Sequence, residues 1–245
     1  MWCPSPIDES SPRVLLKTIA ASLVLGLLTV AAPGPAVAAQ KDVATTESFP
    51  SADSKRLEVD AADLDVRLRT ADIEVIEADL LLHIGGVGDE KAQRWIENHT
   101  PRFTDSQDRV QIIVEPAKSG FLWFGSLTAR ARLTLLAPDT VIPDITTTSG
   151  AIQIRGDFPN ARPLHLRTST GNVEMDGAAA SIDFRSAAGD AQIKVVRPLD
   201  SLFARTSSGD VSLSGGARMA RVDTASGRIS LQNLSGDAEV STSTA

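Results

Sequence analysis

The segments TTTSGAIQI (146–154), TSTGNVEM (168–175), SAAGDAQI (186–193), TSSGDVSL (206–213) and TASGRISL (224–231) are variants of one phrase. Taking the shared glycine as position zero, Gly150, Gly171, Gly189, Gly209 and Gly227 follow one another at intervals of 21, 18, 20 and 18 residues. A sixth copy, Thr242-Ser243-Thr244-Ala245, places Ala245 in the glycine slot. Positions −7 and −5 are apolar (Leu164/Leu166, Ile182/Phe184, Leu202/Ala204, Ala220/Val222, Ala238/Val240), as are +2 and +4 (Ile152/Ile154, Val173/Met175, Ala191/Ile193, Val211/Leu213, Ile229/Leu231). Alternation with a period of two marks two half-buried strands on either side of a corner. A glycine recurring at that corner implies either positive φ or backbone crowding that a Cβ would obstruct. Thr or Ser at −3 (Thr147, Thr168, Ser186, Thr206, Thr224, Thr242) can satisfy the corner backbone or form a hydroxyl ladder.

A unit of this size cannot bury its apolar strands alone, but stacked units can. Successive strands then lie parallel, about 4.8 Å apart, with right-handed connections. The expected fold is an all-β, right-handed parallel β-solenoid with short rungs of 18–21 residues. An antiparallel sandwich would not need its turns to repeat in one register. A degenerate early copy is expected with Ala71 at zero, placing Leu64, Val66, Ile73 and Val75 in frame. The N-terminal half adds one short helix at 89–98, capped by Asp89 and burying Ala92, Trp95 and Ile96. It also adds a β-hairpin insertion, with strands at 110–114 and 129–135 flanking a loop tipped by Phe121, Leu122, Trp123 and Phe124.

Upstream, Arg13 and Lys17 border the apolar run 14–32, and Pro33-Gly34-Pro35 and Ala36-Val37-Ala38-Ala39 follow. This is the pattern of a secretory signal peptide cleaved after Ala38 or Ala39. The predicted organisation is therefore signal 1–39, flexible lead-in 40–56, and a single β-solenoid domain 57–245, divided into an N-terminal part 57–143 and regular repeats 144–245. The expected location is exported, periplasmic or at the cell surface, with no lipid anchor or membrane span after cleavage. The last copy stops before its +2/+4 strand, which predicts either a chain truncated at its C-terminus or an open rung that self-associates.

Composition narrows the function. The 245-residue chain holds 24 Lys+Arg against 31 Asp+Glu, 4% aromatics and one cysteine, Cys3, which leaves with the signal. A disulfide scaffold and a thiolate metal site are excluded, and the acidic balance argues against nucleic acid. The histidines lack ligand-like spacing, and no P-loop, dinucleotide glycine pattern or nucleophile elbow is present. No catalytic residue, cofactor or metal is expected. Asp190 and Asp210 imitate a glycosidase carboxylate pair, but at +1 of the corner they read as turn chemistry.

The TSSGDVSL-type repeats, the strand ending Leu135-Leu136-Ala137-Pro138-Asp139, and the unit from Val66 through Ala71-Asp72-Ile73-Glu74-Val75 resemble the bacterial putative-adhesin domain of unknown function with β-strand repeats. The resemblance covers about 57–245. It implies an envelope-associated β-solenoid without established enzymatic activity and carries over no catalytic residue.

Two candidate sites follow. At −4, Arg167, Arg185 and Arg205 stack on consecutive rungs as a stripe for an anionic envelope component. The Phe121–Phe124 tip is either a contact loop or a cap on the solenoid end. The expected function is a non-enzymatic adhesion or interaction module at the bacterial cell envelope, its partner a protein, glycan or anionic lipid. The alternatives are an envelope-stress sensor binding a peptide or anionic lipid, and a carbohydrate-active β-helix enzyme.

Overall fold

The computed structural model describes residues 40–115, 128–158 and 162–244. The signal segment and the Phe121–Phe124 tip lie outside the described residues. In chain order the first half contains β1 (Lys41–Pro50), β2 (Arg56–Asp60), β3 (Asp65–Thr70), β4 (Val75–Gly85), α1 (Asp89–His99), β5 (Arg102–Asp105), β6 (Arg109–Ile113) and β7 (Thr128–Ala137). The second half comprises β8 (Ile142–Thr147), β9 (Ile152–Phe158), β10 (Leu164–Thr168), β11 (Val173–Ala179), β12 (Ser181–Ser186), β13 (Ala191–Val195), β14 (Leu199–Ser208), β15 (Val211–Ser214), β16 (Ala217–Ser226), β17 (Ile229–Leu231) and β18 (Leu234–Thr244).

These strands form a β-solenoid of two nine-stranded sheets. The first runs β1-β4-β7-β3-β9-β11-β13-β15-β17 and the second β18-β16-β14-β12-β10-β8-β2-β6-β5. Each repeat contributes its −7/−5 strand to the second sheet and its +2/+4 strand to the first, always parallel to the preceding rung. Identical frame positions are register partners: Leu166 faces Phe184, which faces Ala204, and Met175 faces Ile193, which faces Leu213. The inward side chains merge into one core that includes Leu57, Leu133, Ile154, Phe158, Phe184 and Leu202, all with 0% exposure. The period-two pattern therefore encodes both the strands and the inside of the rod.

The corner glycines form a column. A Cβ on Gly171 would lie 2.0 Å from the Gly150 carbonyl oxygen, one on Gly189 2.1 Å from that of Gly171, and one on Gly209 2.3 Å from that of Gly189. Crowding by the neighbouring rung, rather than a left-handed backbone, selects glycine at these three corners. The −3 hydroxyls point inward and are buried at Thr147, Thr168, Thr206 and Thr224. Thr147 Oγ1 donates to the Gly150 carbonyl at 2.8 Å, and Thr168 Oγ1 accepts the Gly171 N–H at 2.8 Å. Thr224 Oγ1 donates to the Ser226 carbonyl at 3.1 Å, so corner satisfaction describes these three rungs, whereas Thr206 Oγ1 and Ser186 Oγ are buried without a hydrogen-bond partner among the described residues.

The N-terminal half departs from expectation in four places. First, the early rung is β2/β3 with Leu64, not Ala71, at the corner. Leu57 and Val59 partner Pro143 and Ile145, and Val66 and Leu68 partner Ile152 and Ile154. Leu64 conceals the frame because it occupies the glycine slot. Second, the strands at 110–114 and 129–135 do not pair with each other. β6 extends the second sheet beside β2, and β7 extends the first beside β3. They complete a rung that lies outside the one preceding it in sequence, and the hairpin of this half is β5–β6.

Third, residues 41–50 form strand β1, antiparallel to β4, instead of belonging to a flexible lead-in. Only Val43 and Phe49 are apolar along its inward row, so the sequence pattern is diluted and the ladder offered by β4 decides the conformation. Fourth, α1 is capped by Gly88 without a side-chain bond, while Asp89 pairs with Lys41 at 3.4 Å. The helix buries Ala92, Trp95 and Ile96 as its pattern requires, together with His99, which stacks on Trp95. With β1, β4 and β5, it closes this end of the rod.

Candidate interaction face

The outer surface of the second sheet carries two parallel rows. The −4 row reads Thr146, Arg167, Arg185, Arg205, Asp223, Ser241, each the register partner of the next. The −6 row reads Asp144, His165, Asp183, Phe203, Arg221, Glu239 in the same manner. The sheet therefore brings the three stripe arginines onto adjacent strands, about 4.8 Å apart. Like charges at that spacing require compensation.

The acidic residues of the two rows provide it. Arg167 donates to Asp144 at 2.9 Å, and Arg205 donates to Asp223 at 3.2 Å. Arg185 donates from Nε and Nη2 to the two oxygens of Asp183, at 3.1 and 3.2 Å. The Asp183 hydrogen bond, and secondarily its charge, raise the Arg185 pKa above the ordinary arginine value. Arg221 continues the pattern with Glu239 at 3.0 Å. The guanidinium ends are well exposed while the stripe aspartates beneath them are mostly covered, so the arginine face remains open to an incoming ligand. The sequence frame sets the arginines on one face and Asp183 beside Arg185, as found; the pairing of Arg167 with Asp144 and of Arg205 with Asp223 follows from the assembled ladder.

Phe203 was not singled out by sequence reasoning. It lies in the −6 row between Asp183 and Arg221, with 44% of its surface exposed. Its signal is an aromatic residue at a position otherwise occupied by charged or polar side chains.

The corner carboxylates serve the fold. Asp190 Oδ1 accepts the Asp210 N–H at 2.8 Å, and Asp210 Oδ1 accepts the Arg228 N–H at 2.6 Å. Asn172 and Asp65 do the same for Asp190 and Ala151, both at 3.0 Å. The +1 residues thus form a ladder that satisfies backbone donors where the sheet turns, consistent with turn chemistry. Among the described residues, no cluster of three His, Cys, Asp or Glu is placed to hold a metal ion. Within the same residues, no helix is long and apolar enough to cross a membrane.

A stacked-rung rod with glycine-tight corners and one broad, ion-paired face defines the class: a β-solenoid domain. The chain belongs to the Toastrack DUF4097 family, whose model matches residues 54–244. No curated protein matches it. In overall structure it is similar to a putative adhesin from Parabacteroides distasonis, at 13% identity and a TM-score of 0.48, over 81% of this chain and 77% of that one. It is also similar to a putative adhesin from Bacteroides fragilis, at 11% identity and a TM-score of 0.39, over 81% and 96% of the two chains. A third similar structure is a putative lipid binding protein from Parabacteroides distasonis, at 14% identity and a TM-score of 0.34, over 81% and 92%.

Proposed function

We propose that this protein is exported and acts, without enzymatic activity, as an adhesion or interaction module at the bacterial cell envelope. The observation carrying this reading is the outer face of the second sheet, where Arg167, Arg185 and Arg205 stand in register on β10, β12 and β14. A repeat architecture turns one residue choice into an extended surface, and charged and aromatic side chains arrayed on it suit recognition. The use of Asp190 and Asp210 as backbone acceptors supports the non-enzymatic part of the reading.

The test is binding of the exported chain to envelope preparations, compared with the triple variant Arg167→Gln, Arg185→Gln, Arg205→Gln. The triple variant is expected to bind about ten-fold more weakly or worse, a loss of roughly 1.4 kcal/mol. Unchanged binding removes the stripe from the function. The triple variant should still fold and should melt only modestly below the wild type, because the guanidiniums are exposed while their aspartate partners are mostly covered.

The open end of the rod is the second proposed contact. On β18, the inward frame residue Val240 is 50% exposed, and no strand among the described residues pairs with the outer edges of β17 and β18. Unpaired edges with an apolar row promote strand pairing, and a second copy of the chain is the proposed occupant. Sedimentation is expected to show concentration-dependent association that Val240→Lys abolishes. A monomer at every concentration overturns it.

A further inference from the structure

Phe203 has no structural reason to face solvent. It sits on β14, the third strand from the β18 edge of the second sheet, opposite Asp183 on β12 and Arg221 on β16, and is not part of the core. Met219, 46% exposed, is the register partner of Ser201, two residues before Phe203 on the same face. Phe203 and Met219 are thus diagonal neighbours, the two exposed large apolar side chains on this stretch of an otherwise charged surface. A shallow groove of about 190 Å³ is bordered by Asp183, Arg185, Phe203, Arg205, Arg221 and Asp223.

The rim determines what can bind there. Three arginines are matched by three carboxylates: Arg185 by Asp183, Arg205 by Asp223 and Arg221 by Glu239. Glu239 lies outside the groove's border, but with it every one of these arginines has a carboxylate partner, so no guanidinium is left uncompensated for a phosphate or an anionic membrane. Hydrogen-bonding capacity nevertheless remains. Arg185 engages Asp183 through Nε and Nη2 and keeps Nη1, while Arg205 engages Asp223 through Nη2 alone. Each carboxylate also retains acceptor sites beside these donors. Around the aromatic ring, planar groups therefore present donors and acceptors in alternation. Two apolar side chains also offer far less area than the roughly 800 Å² that a stable protein partner covers on each side.

The matching chemistry is a neutral polyhydroxylated ring. Its C–H face can lie on the exposed phenyl ring, and its hydroxyls, each both donor and acceptor, can meet the guanidinium and carboxylate edges. We propose that this groove is a saccharide-binding site, with Phe203 as the stacking platform, Met219 extending it, and Arg185, Arg205, Arg221, Asp183 and Asp223 as the hydrogen-bonding rim. The proposal rests on the interaction-module reading and narrows its ligand to a neutral glycan.

The experiment measures binding of the full exported chain to immobilised chitohexaose, cellohexaose, maltohexaose and mannan. Polygalacturonate and phosphatidylglycerol vesicles serve as the anionic arms. The variants are Phe203→Ala, Phe203→Trp and Lys194→Gln, the last an exposed position on β13 of the first sheet. At least one neutral glycan is expected to bind, Phe203→Ala to weaken it about ten-fold or more, Phe203→Trp to retain it, and Lys194→Gln to leave it unchanged. Because Phe203 is exposed, Phe203→Ala should keep the wild-type melting temperature. Absence of binding to all four neutral glycans overturns the proposal, as does equal binding by Phe203→Ala. Tight binding only to polygalacturonate or vesicles overturns it in favour of an anionic ligand. If the neutral glycans fail while envelope binding persists, the glycan site falls and the interaction-module reading stands; if both fail, both fall.

Discussion

Gly150→Ala is expected to destabilise the protein by about 3 kcal/mol or more, lowering the melting temperature by roughly 6–12 °C. The added Cβ would sit 1.7 Å from the Leu64 carbonyl oxygen and 2.3 Å from its carbon. Both obstacles are backbone atoms of the neighbouring rung, so no side-chain rotation relieves the clash. Relief requires β3 and β9 to separate where the Val66 N–H donates to the Ala151 carbonyl at 2.8 Å and Ala151 donates to Asp65 at 3.0 Å. Gly88→Ser is the matched control: a Cβ there meets nothing within 4 Å, and a serine at the start of α1 can cap the helix. Its melting temperature should equal or exceed the wild type. Thermal unfolding followed by circular dichroism decides the matter, and a wild-type melting temperature for Gly150→Ala would refute the crowding account of the glycine column.

The second large effect is expected at Phe184, the largest side chain at any −5 position and fully buried. Its ladder neighbours are Leu166 and Ala204, so the ring fills space that the short Ala204 leaves on one side. Phe184→Ala should cost about 3–5 kcal/mol, because two adjacent small residues leave a cavity that the rigid rungs cannot close. In a stacked architecture each rung is held mainly by its neighbours. Amides of β14 and β16, beyond the damaged rung, should therefore exchange with solvent much faster, while those of β3 and β7 keep their protection. Uniform acceleration across the rod would contradict the nearest-neighbour picture.

Residues differ in how far their sequence pattern discloses their role. The frame from −7 to +4 was legible because every rung solves the same problem, burying two alternating rows beside a tight corner. The alternation alone assigns Leu166, Phe184 and Ala204 to inward positions in a common row. A second column was also present but unread: Gly156, Gly177 and Gly215 stand at +6, and a Cβ on Gly177 would lie 1.9 Å from the Gly156 carbonyl. Leu64 is the opposite case. It occupies the corner without a glycine, so the first rung was placed seven residues too late. On the candidate face, the −4 arginines form a visible row, and the same parity turns the −6 residue Phe203 outward; what the frame does not show is the ion-paired groove beside it.

By itself, the sequence determined the all-β class, the rung length, the in-register stacking and the inward hydroxyls, since these follow from local alternation and from a glycine recurring at one interval. Only the tertiary structure decided that β6/β7 stack outside β2/β3, that β1 becomes a strand, that Arg167 is neutralised by Asp144 and Arg205 by Asp223, and that Phe203 stands beside a groove whose arginines are all ion-paired. Local pattern specifies which side of a strand is buried. Which strand lies beside it, and so which charges and rings meet across the ladder, is settled by long-range pairing that no single segment encodes.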